Sequence, residues 1–276
     1  MSILEKKFGT LPTGEDVTVF RLLNESGAYA DVIDYGAIVV KVVVPDKYNN
    51  MVDVVLGYDN VKQYTVNKCF FGAIIGRNGN RIANGKFEIK GRSFQLPTNE
   101  NENNLHSGPV GFEKHMWNVT AKDEDKNCIT FSRLSPDGEM GFPGNFNVSV
   151  TYEFTADNEL KIIYDAVCDQ DTVANMTNHS YFNLNGEGNG SVLGQYLKLN
   201  CTYYTPVIDA KYIPTGEIAP VAGTVMDFSV EKKIGRDINA DFEQLAFTGG
   251  YDHNYVADNY EKGVQRTIAT AYSDLT

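Results

Sequence analysis

One stretch limits what this chain can become more than any other. Between Phe146 and Phe154, the residues Phe146, Val148, Val150, Tyr152 and Phe154 alternate with Asn147, Ser149, Thr151 and Glu153. Successive side chains on a pleated strand point to opposite faces, so this order gathers large apolar groups on one face and polar groups on the other. Ala156-Asp-Asn158 then supplies a turn signal, and Leu160 to Val167 supplies the returning strand. The pattern recurs along the chain. Val17 to Leu22, Ala30 to Ile33, Ile38 to Val44 and Met51 to Leu56 are β-branched runs parted by Gly, Asp and Asn. Lys86 to Lys90 and Ser93 to Leu96, joined through Gly91, read as another hairpin, and Val264 to Tyr272 as a last strand-like piece. Helical spacing is weak throughout, with room for a short helix or two only in Ile234 to Phe247. The expected fold class is all-β, with antiparallel sheets covering one another as a sandwich and at most one or two short helices. No composition shift or Pro/Ser-rich linker marks a boundary, so residues 1-276 are expected to form a single domain.

Charge and patterning narrow the function. Lys plus Arg number 24 against 36 for Asp plus Glu, a net charge of −12, and no local cluster of cations stands out. Such a chain repels a phosphate backbone, so nucleic acid is not an expected partner. The longest apolar stretches, Ala37 to Val44 and Phe70 to Ile75, are far shorter than the roughly 18 residues of a membrane-spanning helix, so no membrane partner is expected. Met1 to Lys7 carries charges where a signal peptide needs its apolar run, which favours a cytoplasmic location. Cys69, Cys128, Cys168 and Cys201 form no Cys-x-x-Cys pair and are expected as four buried thiols in a reducing compartment. Gly186-Glu-Gly-Asn-Gly190 superficially resembles a phosphate loop, but no helical pattern follows it, and a surface turn is the better reading.

Of four histidines, two sit in polar, turn-rich settings: Asn103-Asn-Leu-His106-Ser-Gly and Thr177-Asn-His179-Ser-Tyr181-Phe-Asn183. Imidazole titrates near neutrality, which makes His106 and His179 natural proton-transfer candidates, although either taken alone reads better as a hydrogen-bonded loop histidine. His115 and His253 are weaker candidates. No His pair at helical i, i+4 spacing and no Cys or carboxylate cluster completes a ligand set, so no metal is expected. Gly76-Arg77-Asn-Gly-Asn80-Arg81-Ile gathers two guanidiniums and two amides, donors and acceptors that match vicinal sugar hydroxyls. The same residues read equally as carboxylate partners and turn formers. Asp252, in Gly249-Gly-Tyr-Asp252-His253-Asn, is either a sugar hydrogen-bond acceptor or a turn cap. Trp117 is either a stacking surface or core. Ser180 next to His179 hints at a nucleophile pair, but strand neighbours face apart and no Gly-x-Ser-x-Gly elbow is present, which argues against a serine hydrolase.

Taken together, Gly76-Arg-Asn-Gly-Asn-Arg-Ile-Ala-Asn-Gly85, Phe94-Gln-Leu-Pro97, Asn104-Leu-His-Ser-Gly108, Gly111-Phe-Glu-Lys114 with Trp117, Asn178-His-Ser-Tyr-Phe-Asn-Leu184 and Gly250-Tyr-Asp-His-Asn254 resemble the aldose 1-epimerase (galactose mutarotase) family. Their order and spacing are similar to the family's from near the N-terminus to about Asp258. The resemblance implies an antiparallel β-supersandwich and a cofactor-free interconversion of the α and β anomers of free aldohexoses such as glucose and galactose. It places His179 on the family's general acid, which protonates the ring oxygen, and His106 on the second histidine, which binds the sugar and supports that transfer. Asn80, Arg81, Tyr181 and Asp252 fall on sugar-binding positions. In relatives the general base, a glutamate, lies in a stretch beyond the position of Thr276 together with a glutamine that contacts the sugar, and this chain has neither at a matching position. That departure predicts an unpaired sheet edge near Val264 to Tyr272. It leaves open a noncatalytic sugar-binding protein or an inactive homologue. An epimerase of phosphorylated sugars suits the net charge of −12 less well.

Overall fold

The computed structural model describes residues 1–275, which fall into two compact units, Met1–Gly188 and a second that begins at Asn189. The first unit opens with an antiparallel sheet whose strands lie in sequence order: β1 (Ser2–Thr10), β2 (Asp16–Leu23), β3 (Tyr29–Ile33), β4 (Ile38–Pro45) and β5 (Met51–Asp53). A short helix α1 (Val61–Val66) follows, then the two-residue strands β6 (Ile74–Ile75) and β7 (Arg81–Ile82). The hairpin of β8 (Lys86–Ile89) and β9 (Arg92–Gln95) comes next, and then β10 (Asn104–Leu105). A second antiparallel sheet runs β11 (Asn118–Asp123), β12 (Cys128–Ser135), β13 (Phe146–Phe154) and β14 (Leu160–Cys168) in order. β15 (Thr177–Asn178) returns to pair with β6, and β7 pairs with β10.

The alternating strand anticipated from Phe146 to Phe154 is β13, and its five apolar side chains are all buried. They meet Phe20, Leu22, Ala30, Val32 and Val39 of the first sheet in one cluster, so the two sheets pack face to face. Each side chain of that size removed from water contributes about 1.5–3 kcal/mol. The hydroxyl of Tyr152, fully buried, donates to the Ala37 carbonyl at 2.6 Å.

The opposite face of the first sheet is buried too. Val17, Val19, Ile33, Ile38 and Val40 form a second cluster with Val61 and Tyr64 of α1 and with Ala73 and Ile75 on and beside β6. Burial on both faces explains why β4 reads as a nearly unbroken apolar run rather than an alternation. A register shift between Asp31 and Val32 in the β3–β4 ladder lets both Val39 and Val42 face the first cluster. Gly72 permits the close approach of the β6 segment: its φ is +64°, and a Cβ there would lie 1.8 Å from the Val39 carbonyl oxygen.

Several expectations need correction. β1 was not anticipated, because Glu5, Lys6 and Lys7 are exposed on it; such charges suit an edge strand that must not recruit another chain. α1 is too short to show a period and is fixed locally, by an Asn60 cap that accepts from the Gln63 N–H at 3.2 Å. Strand β5 stops at Asp53 rather than Leu56. Trp117, by contrast, is core, the default for such a residue in an all-β chain: it is 3% exposed, and its indole N–H donates to the Phe112 carbonyl at 3.1 Å. All four cysteines are free thiols, but only Cys201 is buried, and Cys69 is exposed.

Arg77, grouped from sequence with the sugar-gripping candidates, is instead 1% exposed. Its guanidinium donates to the carbonyls of Ser135, Pro136, Pro143 and Gly144 and to the hydroxyls of Ser135 and Thr172, at 2.7–3.2 Å. A planar fork of donors is suited to ordering the Ser135–Gly144 turn, which would otherwise bury orphan carbonyls.

The second unit contains β16 (Tyr196–Leu199), β17 (Tyr203–Tyr204), β18 (Ala219–Pro220), β19 (Lys232–Lys233), helix α2 (Glu243–Thr248), β20 (Tyr255–Val256) and β21 (Ala269–Tyr272). They form two three-stranded sheets, β19-β16-β21 and β18-β17-β20. α2 occupies only the end of the anticipated helical span and is closed by Gly249 at φ 67°. β21 is shorter than the Val264 to Tyr272 expectation; it pairs with β16 at the edge of its sheet, and three of its four residues are exposed. No helix among the described residues is long and apolar enough to cross a membrane.

Replacing Arg77 by Ala should lower the unfolding free energy by about 3 kcal/mol or more, since several buried carbonyls lose their donor together. Urea denaturation of the two chains measures this, and equal midpoints would show that other donors take over the turn.

Candidate functional site

Two small ladders in the first unit bring the motifs together. β15 pairs with β6 (Thr177 opposite Ile75, Asn178 opposite Ile74), and His179 follows directly. β10 pairs with β7 (Leu105 opposite Arg81), and His106 follows directly. The backbone closes both turns: the His179 N–H donates to the Ala73 carbonyl at 2.8 Å, the Gly72 N–H to the His179 carbonyl at 3.1 Å, and the His106 N–H to the Asn80 carbonyl at 3.0 Å. The two imidazoles, far apart in sequence, end with ring centroids 5.1 Å apart and planes nearly perpendicular.

His106 is held in one chemical form. Asn80 donates its backbone N–H to Nδ1 at 2.9 Å, so Nδ1 is an acceptor and the proton of the neutral ring resides on Nε2. Burial, with help from nearby His179 and Arg81, pushes its pKa down to about 3. At neutral pH His106 is therefore a neutral Nε2–H donor. Asn104, itself buried, shapes this loop by donating to the Pro97 and Gly108 carbonyls, and the Ser107 hydroxyl accepts from the Asn78 N–H at 2.8 Å. Gly111 has no room for a side chain, because a Cβ would sit 2.5 Å from Glu113 Oε2 and 3.0 Å from the His106 carbonyl. Burial raises the Glu113 carboxyl to about 7.

Arg81 is half-buried, its side chain 12% exposed. Glu100 grips it bidentately, Nε to Oε2 at 2.5 Å and Nη2 to Oε1 at 2.9 Å, while Nη1 reaches Asn80 Oδ1 at 3.3 Å. Such a clamp orients the guanidinium plane. Tyr181 is 41% exposed, with its ring 5.1 Å from His179 and 5.2 Å from Phe71. His106, His179, Asn80, Arg81 and Tyr181 are thus brought together in one unit. His115, by contrast, faces Glu139 at 3.6 Å, with burial lowering its pKa.

Asp252 belongs to the second unit. Its chain neighbours are anchored inward: Tyr251 donates to the Val225 carbonyl at 3.2 Å, and His253 Nε2 meets Gln244 Oε1 at 3.1 Å. Asp252 lies between them and is exposed. Among the described residues, no group of three His, Cys, Asp or Glu is arranged to hold a metal ion.

Two contributors escaped the sequence reading. Glu100 lies in an Asn-rich loop, and only the β7–β10 pairing reveals that it faces Arg81. Phe70 sits between the histidines, with its ring 4.9 Å from His106 and 5.7 Å from His179. Several residues at this locus have left-handed backbone without being glycine: Phe70 (φ 58°), Asn80 (62°), His106 (54°) and Ser107 (59°). Such conformations persist only where surroundings enforce them, and they concentrate at functional sites.

Known proteins carry the same scaffold. The family model described as Aldose 1-epimerase matches residues 18–275. A galactose mutarotase from Sus scrofa is 38% identical over 255 residues, covering 92% of this chain and 72% of that protein. An aldose 1-epimerase from Haemophilus influenzae is 38% identical over 257 residues, covering 93% and 73%. The crystal structure of a galactose 1-epimerase from Lactobacillus acidophilus superimposes with a TM-score of 0.87 at 28% identity, covering 99% of this chain and 77% of that one. The nearly all-antiparallel architecture with two short helices is accordingly the galactose mutarotase-like fold, and the chain belongs to the aldose 1-epimerase family.

Proposed function

We propose that this protein interconverts the α and β anomers of free aldohexoses, glucose or galactose, by acid–base opening and reclosure of the sugar ring. The observation that carries this reading is the pair of imidazoles at 5.1 Å beside a clamped, partly exposed Arg81, on the scaffold of an epimerase family. In the forward step the ring oxygen gains a proton from His179 while the anomeric hydroxyl gives its proton to a solvent water, and the C1–O5 bond breaks to give the open-chain aldehyde. Rotation about C1–C2 turns the other carbonyl face to O5, and the same transfers in reverse close the ring. His106, a neutral Nε2–H donor, binds a sugar oxygen close to the reacting centre and lends a dipole to the developing charge. Asn80, Arg81 and Tyr181 hold hydroxyls, with Tyr181 also offering an exposed ring face, and Asp252 of the second unit is read separately as a sugar-binding residue. No cofactor is required, because the chemistry is proton transfer. We read residues 1-276 as a single mutarotase-like domain, a reading supported by the family match over residues 18–275.

Polarimetry on freshly dissolved α-D-glucose and α-D-galactose tests the proposal, beside a thermal melt showing that the chain is folded. Acceleration above the buffer rate is expected; a folded chain that binds sugar calorimetrically without accelerating anomerisation would replace the enzyme reading with a sugar-binding one.

His179→Ala should remove at least about 99% of the acceleration, in line with the 10²–10⁴-fold value of a positioned acid, without moving the melting temperature by more than a degree or two. An undiminished rate would exclude it as the acid. Arg81→Ala should chiefly raise KM, and unchanged sugar affinity would remove its assigned role.

The lowered pKa of His106 also links stability to pH. In the folded chain His106 gains its proton only near pH 3, whereas unfolded it does so near 6.5, so the unfolded state binds more protons between those values. Its contribution is complete above about pH 6.5 and is lost as pH falls towards 3. Glu113, raised to about 7, contributes with the opposite sign over the same range, so the variant isolates the histidine: relative to the parent, His106→Asn should shift the urea midpoint at pH 4.5 upward compared with that at 7.5, and an unchanged difference between the two pH values would mean that His106 titrates normally.

A further inference from the structure

We infer that Phe70 is a positioning residue of the histidine pair, its ring filling the angle between the two imidazoles and holding their separation and their dryness. This deepens the epimerase reading and rests on it for the meaning of the pair. Three ring centroids form a closed triangle: Phe70 to His106 at 4.9 Å and 74°, Phe70 to His179 at 5.7 Å and 41°, and His106 to His179 at 5.1 Å and 83°. Edge-to-face approach puts the positive rim of one ring against the face of another, which favours fixed angles over free rotation.

The backbone beneath Phe70 points the same way. Its φ of 58° is unusual for a bulky residue and is tolerated only because the turn around it is over-determined. Asn67, buried at 3% exposure, accepts the Phe70 N–H through its backbone carbonyl at 3.1 Å and the Phe71 N–H through Oδ1 at 2.9 Å, and it donates Nδ2 to the Phe71 carbonyl at 3.2 Å. On the other side the Ala73 N–H donates to the Phe70 carbonyl at 3.0 Å. The Gly72 N–H donates to the His179 carbonyl, and Asn178 Nδ2 to the Gly72 carbonyl at 2.9 Å. The turn that strains Phe70 is thus the turn that anchors His179. A residue serving only the core has no need of such a conformation, since the neighbouring cluster is already filled by Ile38, Val61, Tyr64, Ala73 and Ile75, while Phe70 is only partly buried against it.

Two physical effects follow. The ring blocks rotation of either imidazole, so Nε2 of His106 keeps its aim while Asn80 holds Nδ1. It also excludes water from one side of His106, adding to the burial that, with His179 and Arg81 nearby, keeps that ring neutral.

The test is an NMR titration of the His106 and His179 ring protons in the full chain and in Phe70→Ala, Phe70→Gly and Phe70→Tyr, with polarimetry on α-D-galactose in parallel. Glycine accepts the left-handed φ without strain, so Phe70→Gly removes the ring while relieving the backbone. In the Ala and Gly chains the His106 titration should move up by about one unit or more, towards the ordinary 6.5. The Tyr chain should titrate like the parent. Anomerisation should show kcat down about tenfold or more with KM within about twofold for Ala and Gly, and near-parent values for Tyr. Folded Ala and Gly chains whose His106 titrates as in the parent would overturn the inference, and so would collapse of both, which would make the ring a core element. If the parent does not accelerate anomerisation, the epimerase reading fails while the titration still decides the role of Phe70.

Discussion

The first sheet is buried on both faces, and the rest of the first unit follows from that constraint. One face of β2, β3 and β4 meets the apolar side of β13 and β12, while the other meets α1 and β6. A sheet with two dry faces cannot tolerate a one-residue slip, because every side chain would exchange one packed environment for another of different shape. The platform beneath the histidines is the second of these layers. Ala73 and Ile75 flank Ile74 in the β6 segment, which pairs with β15, so core packing sets the height and direction of the strand that ends at His179.

Two buried polar side chains hold loops of this interior together. Arg77 supplies donors to the carbonyls of the Ser135–Gly144 turn, and Asn104 does the same on a smaller scale for the loop of His106. Three residues separate Arg77 from Arg81 in sequence, yet one guanidinium is structural and the other is clamped by Glu100 within the site. The difference lies in acceptor type. Neutral carbonyls converging from several directions hold a buried cation by solvation, whereas a bidentate carboxylate fixes the plane of the guanidinium.

The site stores local strain and offsets it with hydrogen bonds. Phe70, Asn80, His106 and Ser107 all occupy left-handed backbone, and each belongs to a turn closed by at least one backbone or side-chain bond. Strain of about 1–3 kcal/mol at each such residue is sustainable only against a well-packed layer. One consequence is geometric: His106 is aimed by its own backbone, and with Nδ1 occupied its neutral ring has a single donor, Nε2–H.

How much of this was legible in the sequence depends on the range of the interaction. Period-two alternation is local, so Phe146 to Phe154 announced β13, its burial and its returning partner β14 without any fold in hand. The hairpin of Lys86–Ile89 and Arg92–Gln95 was legible for the same reason. The charged edge strand Ser2–Thr10 and the six-residue helix Val61–Val66 were not, since neither carries a period and each is specified by what lies beside it. Among candidate site residues, His106, His179, Asn80 and Arg81 could be singled out by residue type and turn-rich setting. That Arg77 faces inward, that Glu100 pairs with Arg81, and that Phe70 stands between two imidazoles could not. By itself the sequence determined the β character of the chain, the pairing of its long hairpins and the proton-transfer groups it has to offer. Tertiary structure decided which of those groups share a site and in which protonation form. Proximity of residues 70, 106 and 179 is a property of two short ladders and a packed layer, and the neutrality of His106 is a property of the water that layer excludes.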